Sequence, residues 1–260
     1  MHMFFIKART LLALVGMIVV LIAGGVAWRS GWYWERPIQE FDNYIPAVAH
    51  TEWPVFYVKT DQKKVALTFD ISWGRETAPK VLDILKQEGV KATFFLSGPW
   101  ARRHEDLVRR IASDGHEIAS HGDKHVNLGQ RSRAEIATNI QKADADLRAV
   151  SGQQPRFFRP PNGDYDDMVI ETARSLGYET VLWAIDTLDW KNPGPEYMVR
   201  RVLNQIFDGA IILMHASDSS KQIHLALPDI IRQLRAQGYE LVTVGELLLA
   251  GTPGRNDPRR

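Results

Sequence analysis

Short apolar runs alternate with amphipathic helical segments over most of the chain, between residues 65 and 243. Runs rich in β-branched and aromatic residues predict strands at 65–69, 92–96, 117–120, 157–159, 180–185, 210–214 and 241–243. Periodicity and glycine stops predict helices between them at 76–87, 107–112, 133–150, 166–176, 196–207 and 227–237. Repeated strand–helix units favour an α/β fold built on a parallel sheet or barrel of about seven strands. A further run at 55–58 is predicted to pair with 65–69 as a hairpin.

The composition limits the chemistry that the chain can carry. Its 260 residues are 45% hydrophobic and 24% charged, as in a globular protein with one large domain or two small ones. The chain has no cysteine, which excludes disulfides, thiol catalysis and thiolate metal ligands. Any metal must therefore be bound by histidine and carboxylate side chains. The net charge of +1 gives no reason to expect a nucleic-acid partner.

The amino-terminal segment predicts a membrane anchor. Residues 1–9, which include Lys7 and Arg9, precede a stretch without charge at 10–28. Such a stretch is long enough to cross a membrane once, and the positive charges before it favour a cytoplasmic amino terminus. Gly25-Val26-Ala27 also fits a signal-peptide cleavage site, and either alternative exports the rest of the chain. We favour the uncleaved anchor, which predicts a single-pass membrane protein with an extracytoplasmic domain.

The remaining boundaries follow from composition. Residues 29–53 predict a juxtamembrane linker and residues 54–250 the folded domain, while 251–260, rich in Pro, Gly and Arg, predict a disordered tail. With one anchor and one domain, we expect a monomer.

Two of the eight histidines, His121 and His125, lie four residues apart directly after the predicted strand 117–120. If this segment begins a helical turn, both imidazoles share a face and can bind one divalent cation, commonly Zn²⁺. The alternative is that the two histidines fall four apart by chance on a solvated loop. The carboxyl ends of parallel strands are where α/β folds place their chemistry, which favours the metal interpretation.

Polar residues also end or follow other predicted strands. Asp70 ends the first strand, Arg159 the fourth and His215 the sixth, while Asp186 and Asp189 follow the fifth. In a barrel these strand ends meet around a single mouth, so the side chains can act together. We therefore expect one site composed of residues that are far apart in the sequence.

These residue types suit metal-assisted hydrolysis. Asp70 would take a proton from water, and His215 would protonate the leaving group. Arg159 would keep Asp70 ionised, and Asp189 or Asp186 would raise the pKa of His215.

Substrate contacts are predicted beside these groups. A backbone N–H in the turn Pro161-Asn162-Gly163 would receive a developing oxyanion. Trp190 would give a sugar ring an apolar face, with packing at the barrel rim as the alternative.

Five segments of the chain together form a recognisable set: Thr68-Phe69-Asp70, His121-x-x-x-His125, Arg159-x-Pro161-x-Gly163, Asp186-x-x-Asp189-Trp190 and Leu213-x-His215. In order and spacing they resemble the five motifs of the polysaccharide deacetylase family, also called the NodB homology group or carbohydrate esterase family 4. The resemblance covers roughly residues 64–249. The segment Phe69-Asp70-Ile71-Ser72-Trp73-Gly74 most resembles the corresponding segment of the sporulation-associated, PdaB-like branch of that family.

The resemblance implies a fold and an activity. The fold is a distorted (β/α) barrel with about seven strands. The activity is removal of N-acetyl groups from GlcNAc or MurNAc units of peptidoglycan or a chitin-like glycan. The partners would be this cell-wall glycan and, through the anchor, the bacterial cell membrane.

The resemblance also implies a role for individual residues. Asp70 is the base, Arg159 supports it, and His215 is the acid. His121 and His125 are the metal ligands. Asp189 completes the predicted catalytic set, and the predicted substrate-binding residues are Trp190, Asn162, Leu213 and Asp186.

One position departs from the family pattern. The first motif of the family usually carries two consecutive aspartates, the second of which binds the metal, whereas here that position is Ile71. Three outcomes stay open: water or substrate completes the metal shell, another donor such as Asp123 does so, or no metal binds. Asp123 would face away from both histidines if the segment were helical. We expect a divalent metal, Zn²⁺ or alternatively Co²⁺, Mn²⁺ or Ni²⁺, held weakly.

The leading interpretation is therefore an exported, membrane-anchored glycan N-deacetylase. The first alternative is a glycan-binding or morphogenetic protein that keeps the groove and has lost efficient catalysis, which the loss of the metal carboxylate at Ile71 favours. The second alternative is a different metal-dependent amidohydrolase.

Overall fold

The structure is a computed structural model, and it describes residues 53–259. The predicted cytoplasmic segment, the anchor at 10–28 and the linker up to residue 52 lie outside the described residues. In the described part of the chain, no helix is long and apolar enough to cross a membrane.

Ten strands occur in the described residues. They are β1 (Tyr57–Lys59), β2 (Lys64–Ile71), β3 (Thr93–Leu96), β4 (Glu117–Ser120), β5 (Phe157–Phe158), β6 (Glu179–Thr180), β7 (Ile185–Asp186), β8 (Ile211–His215), β9 (Glu240–Val242) and β10 (Thr252–Gly254). Seven of them form a path of parallel strands in the order β6-β5-β4-β3-β2-β8-β7, and β9 pairs with the first residues of β2. The predicted α/β fold is confirmed as a distorted half-barrel of seven parallel strands.

Eight α-helices cover the sheet in the described residues. They are α1 (Thr77–Glu88), α2 (Gly98–Arg103), α3 (Glu105–Ser113), α4 (Arg133–Ser151), α5 (Asp167–Ser175), α6 (Pro195–Gln205), α7 (Ile223–Ala236) and α8 (Val244–Leu248). The long helix α4 begins with a reciprocal capping box, in which the Ser132 side chain accepts from the Glu135 N–H and Glu135 accepts from the Ser132 N–H.

The strand predicted at 180–185 is instead two strands, β6 and β7, at opposite ends of the sheet. The segment changes partner along its length: the Val181 N–H donates to the Phe158 carbonyl, whereas the Ala184 N–H donates to the Ile211 carbonyl. Residues 181–184 thus run between the two edges of the half-barrel.

The predicted hairpin is wrong, because β1 pairs antiparallel with β10, as in the partners Tyr57 and Gly254. The described part of the predicted disordered tail, 251–259, is therefore ordered, and that prediction is also wrong. The physical reason is pairing that the local composition does not reveal. In addition to the strand pairing, Arg255 makes a bidentate ion pair with Glu179. Its Nη1 donates to Oε1 at 2.9 Å and its Nη2 to Oε2 at 3.1 Å.

Alternate residues of the central strand β2 meet different environments. Phe69 and Ile71 are fully buried in the large apolar cluster that includes Leu82 of α1 and Ile230 of α7. Side chains alternate across a strand, so Asp70 points to the opposite side, into the half-barrel. The apolar layer thus fixes the strand, and the other face presents the carboxylate.

Candidate active site

A cavity of about 450 Å³ opens at the carboxyl ends of the parallel strands. It contains eight of the ten predicted site residues, while Arg159 and Asp189 lie behind its wall. Its lining is Asp70, Ser72, Trp73, His121, His125, Asn162, Gly163, Trp183, Asp186, Trp190, Leu213, His215, Ser217 and Ser219.

Asp70 is held by Arg159 in a buried ion pair. The Arg159 Nη1 donates to Asp70 Oδ1 at 2.7 Å and to Thr68 Oγ1 at 3.0 Å. Its Nε and Nη2 donate to the carbonyls of Val181 at 3.2 Å and Leu182 at 2.9 Å. The guanidinium is thus fixed by four acceptors, and it fixes the orientation of the carboxylate in turn.

The charges around Asp70 keep it ionised. Burial by itself raises the pKa of Asp70, but the Arg159 guanidinium, followed by the imidazoles of His121 and His215, outweighs burial and holds the pKa below its ordinary value. Burial lowers the pKa of Arg159, while Asp70 raises it. Asp70 is therefore a carboxylate at neutral pH, able to accept a proton.

The two predicted metal ligands, His121 and His125, lie close together although the segment that carries them is not helical. The chain between β4 and α4 is irregular at residues 121–126, and Gly122 has a φ of +75°, outside the range of a right-handed helix. The condition of a helical turn is not met, but the ring centroids of His121 and His125 still lie 5.3 Å apart.

Both imidazoles have the protonation state of a metal ligand. The Nδ1 of His121 lies 2.8 Å from the Arg159 carbonyl, which can only accept, so Nδ1 carries the proton and Nε2 is free. That Nε2 lies 3.7 Å from Asp70 Oδ2. Burial lowers the pKa of His121 to about 4 and also lowers the pKa of His125. Both rings are neutral at pH 7, as metal binding requires.

The donor set is nonetheless short of a catalytic zinc site, which takes three protein ligands. Ile71 is fully buried in the apolar cluster and offers no donor atom. Asp123 does not replace it, because its Oδ1 lies 3.6 Å from Arg102 and the residue lines a different cavity. Within residues 53–259, no group of three His, Asp or Glu side chains could hold a metal ion. The described residues therefore supply two of the three protein ligands of a catalytic zinc site, His121 and His125.

His215, at the end of β8, is paired with a carboxylate of its own. Its Nδ1 lies 2.8 Å from Asp189 Oδ1, and its backbone N–H donates to Asp189 Oδ2 at 2.6 Å. Asp189 has no exposed surface and also accepts from the Trp190 N–H and the Ser220 hydroxyl. Burial lowers the pKa of His215, but Asp189 outweighs it and the pKa is raised. His215 thus retains a proton to higher pH than a free imidazole.

The parallel register brings the two pairs together, because Asp70 and His215 are direct partners in the pairing of β2 with β8. A carboxylate that can accept a proton and an imidazole that can donate one therefore face the same cavity.

The predicted substrate-binding residues all line this cavity. Leu213 is almost fully buried in β8, and Trp190 is 46% exposed. Asn162 has a φ of 60° and donates through its side chain to Asn127 Oδ1 at 2.7 Å. Asp186 accepts from the Leu188 N–H at 2.8 Å, and burial raises its pKa.

The loop after β2 and the loop after β8 are connected by residues that the sequence pattern did not single out. The Ser72 N–H donates to Ser217 Oγ at 3.0 Å. Asp218 accepts from the N–H groups of Arg75, Glu76 and Thr77 at 2.8–2.9 Å, and so caps α1 from another loop. A signal was present, since an aspartate shortly after a strand end is a candidate for such contacts.

Comparison with known proteins identifies the family. The sequence profile of the polysaccharide deacetylase family matches residues 57–181. The chain is 37% identical over 195 residues to the uncharacterized protein YlxY of Bacillus subtilis. The matched region is 75% of this chain but only 60% of YlxY. It is 36% identical over 201 residues to a peptidoglycan-N-acetylglucosamine deacetylase of Bacillus cereus, covering 76% of this chain and 94% of that relative.

A similar crystal structure is of a protein described as a CE4 family pseudoenzyme from Bacillus anthracis. It is 36% identical, has a TM-score of 0.73, and the match covers 76% of this chain and 70% of that one. A mutant of the pseudoenzyme, with a TM-score of 0.73 to this chain, is described as having restored enzymatic activity. Matches of this extent and identity show that the chain belongs to the polysaccharide deacetylase family of hydrolases, carbohydrate esterase family 4.

Proposed function

We propose that this protein is a peptidoglycan N-deacetylase, which hydrolyses the N-acetyl group of a GlcNAc or MurNAc unit. The observation that carries the proposal is the pair of buried assemblies at one cavity, Arg159 with Asp70 and Asp189 with His215. They supply a base whose pKa is lowered and an acid whose pKa is raised, the two roles that general acid–base catalysis of amide hydrolysis requires.

In the proposed reaction, water attacks the carbonyl carbon of the N-acetyl group while Asp70 takes a proton from the water. His215 then donates a proton through Nε2 to the amide nitrogen of the tetrahedral intermediate. The carbon–nitrogen bond breaks, and acetate and the free amine of the sugar leave. Arg159 keeps Asp70 oriented throughout, and Asp189 stabilises His215 in its charged form.

The oxyanion of the intermediate needs a donor at the cavity wall. The Gly163 N–H already donates to the Pro160 carbonyl at 3.0 Å. We therefore assign the Asn162 N–H, which precedes it in the short turn Pro161–Gly163, to the oxyanion.

The metal requirement is a separate part of the proposal. His121 and His125 would be the ligands of a weakly held divalent cation, of which Zn²⁺ is our first choice. Since a third protein donor is missing, we assign no step to the metal.

The proposed location is the outer side of the bacterial cell membrane, with peptidoglycan as partner and a monomer as the working unit. The support for the anchor is the uncharged stretch 10–28. A role in sporulation has only the resemblance of residues 69–74 to support it.

A glycan-binding protein with weak or no catalysis is the second candidate, and the buried Ile71 favours it. The similarity to a protein described as a pseudoenzyme points in the same direction. Both candidates use the same cavity, so only the reaction separates them.

The test is acetate release by the full-length chain from peptidoglycan and from N-acetylated chitooligosaccharides, with added Zn²⁺ and with chelator. We expect release from at least one substrate and a loss of about 10²–10⁴-fold in Asp70→Asn. The control is Asp61→Asn, an exposed carboxylate in the connection before β2, which should release acetate at the wild-type rate. No release from either substrate, with glycan binding retained, would reject the deacetylase in favour of the binding protein.

A further inference from the structure

A second cavity, of about 430 Å³, lies between the loop 123–131 and residues 134–142 of helix α4. Its volume is within the range of sites that bind small ligands. We call this cavity the basic cleft and propose that it binds an acidic peptide. In the cell wall the ligand would be a peptide carried by peptidoglycan. That identity rests on the proposed function, whereas the cleft itself rests on its geometry and charge.

The basic cleft holds more positive charge than its own carboxylates neutralise. Three basic side chains line it: Lys124, Arg131 and Lys142. Arg131 is partly engaged, since it lies 3.7 Å from the Glu135 carboxylate. The two lysines are exposed, and neither makes an ion pair with a carboxylate of residues 53–259.

The two carboxylates that line the cleft already have partners. The Asp123 Oδ1 lies 3.6 Å from Arg102, which does not line the cleft. Glu135 accepts from the Ser132 N–H at 2.9 Å in the capping box of α4. The hydrogen bonds from Ser132, with a smaller contribution from the basic side chains of the cleft, hold the pKa of Glu135 below its ordinary value. The lysines therefore remain available to an anionic ligand, and such a ligand complements the charge of the cleft.

The lining of the basic cleft also has an apolar part. Leu128 is buried in the cluster that includes Ile136 of α4, and Val126 packs against that cluster. No aromatic side chain lines the cleft, so it offers no stacking surface to a sugar ring or a nucleobase. An inorganic anion would leave Leu128 and Val126 uncovered. A peptide that carries both carboxylates and small apolar side chains matches both parts of the lining.

The basic cleft and the catalytic cavity are neighbours. Lys124 lines the cleft, and the next residue, His125, lines the catalytic cavity. Consecutive Cα atoms are about 3.8 Å apart, so a single stretch of backbone separates the two spaces there. The Asn139 side chain fixes this stretch, because it accepts from the Asp123 N–H at 2.8 Å and donates to the Lys124 carbonyl at 3.1 Å. A glycan in the catalytic cavity can thus place an attached peptide in the cleft.

The first test measures peptide binding separately from catalysis. The full-length protein is titrated, by calorimetry, with the free peptide that an amidase releases from peptidoglycan and with the same peptide after amidation of its carboxylates. We expect Lys124→Gln and Lys142→Gln each to weaken binding of the acidic peptide by about two- to fivefold, the effect of losing one exposed ion pair. The matched control is Lys80→Gln, which should bind as the wild type does, because Lys80 is an exposed residue of α1 that does not line the cleft.

A second pair of variants separates charge from bulk. Thr138 is an exposed residue of α4 that lines the cleft. Thr138→Glu adds a carboxylate to the lining and should weaken peptide binding at least as much as Lys142→Gln does. Thr138→Gln has the same size without the charge and should bind nearly as the wild type does. Both replacements favour a helix, so circular dichroism should show an unchanged fold.

The outcomes separate this inference from the proposed function. Equal peptide affinity in Lys124→Gln, Lys142→Gln and Lys80→Gln would overturn the inference, as would equal affinity for the amidated peptide. Inorganic phosphate that displaces the peptide at equal concentration would also overturn it, because the cleft would then bind anions in general. Peptide binding without acetate release by the wild-type chain would keep the basic cleft and reject the deacetylase. Acetate release without peptide binding would do the reverse.

Discussion

Replacing Arg159 by methionine tests the central ion pair of the site. The substitution retains an unbranched side chain of similar length but removes the charge and all the donors. Asp70 then stays buried without a counter-charge, and the carbonyls of Val181 and Leu182 lose their partners.

The structure gives the size of the effect. Removing one partner of a buried ion pair costs about 3–5 kcal/mol, since it leaves an uncompensated charge. Arg159 has no exposed surface, so solvent screening does not reduce this figure. We therefore expect Arg159→Met to lower the free energy of unfolding by about 4 kcal/mol at about pH 7, a large part of the stability of a typical domain.

The pH dependence identifies the cause. Asp70 has a lowered pKa in the wild-type protein, so the pair stabilises the fold above the pKa of the unfolded carboxyl and loses this contribution as pH falls through the folded pKa. In Arg159→Met, burial dominates and the pKa of Asp70 rises above the unfolded value. The cost of the substitution should then be smallest at low pH, where Asp70 is protonated.

Urea denaturation followed by tryptophan fluorescence, at about pH 7 and about pH 4.5, measures both effects. Asp70→Asn combined with Arg159→Met should be more stable at neutral pH than Arg159→Met alone, since the buried charge is gone. A cost below about 1 kcal/mol at pH 7, or an equal cost at both pH values, would refute the reasoning, because the substitution would then resemble a change at an exposed pair.

Three further predictions address the acid, the loop and the metal. Asp189 raises the pKa of His215, so Asp189→Asn should lower that pKa. The alkaline limb of the pH–rate profile for acetate release should then move to lower pH. An unchanged alkaline limb would contradict the role of Asp189 in raising the pKa of His215. Asp218→Ala removes the acceptor for three N–H groups at the start of α1 and should lower the free energy of unfolding, measured by urea denaturation, by about 1–2 kcal/mol. Ile71→Asp should raise the amount of zinc retained per chain after dialysis. In chelator the same substitution should lower the melting temperature, because it buries a carboxylate in the apolar cluster. Equal zinc retention by the wild-type and Ile71→Asp proteins would exclude the missing aspartate as the cause of weak zinc binding.

The site residues that could be predicted from the sequence are those that lie at the ends of strands. Asp70, Arg159 and His215 end or directly follow apolar runs, and parallel strands bring such ends to one edge of the sheet whatever the loops do. The strand predictions therefore sufficed to place these side chains near one another. The same reasoning predicted that Asp189 or Asp186 interacts with His215. In the structure Asp189 pairs with His215, and Asp186 lines the cavity.

The parts that the sequence did not predict depend on distant partners. The strand β1 pairs with β10 at the other end of the domain, so the local pattern at 55–69 suggested a hairpin. The turn around Gly122 takes its shape from contacts with Asn139, which accepts from the Asp123 N–H at 2.8 Å. Tertiary contacts of this kind override local periodicity and cannot be read from a short window of sequence.

The buried charges also bear on the choice between an enzyme and a binding protein. Taking an ion from water into a protein costs several kcal/mol, and apolar side chains of similar volume are often as stable or more stable. A protein that only bound a glycan in this cavity would need neither Arg159 nor Asp189 in its interior, whereas hydrolysis needs the base and the acid that these residues sustain. Ile71 removes a metal donor but leaves both pairs intact. We therefore expect the wild-type chain to release acetate more slowly than Ile71→Asp and faster than Asp70→Asn; a wild-type rate no higher than that of Asp70→Asn would show that the buried pairs serve the fold alone.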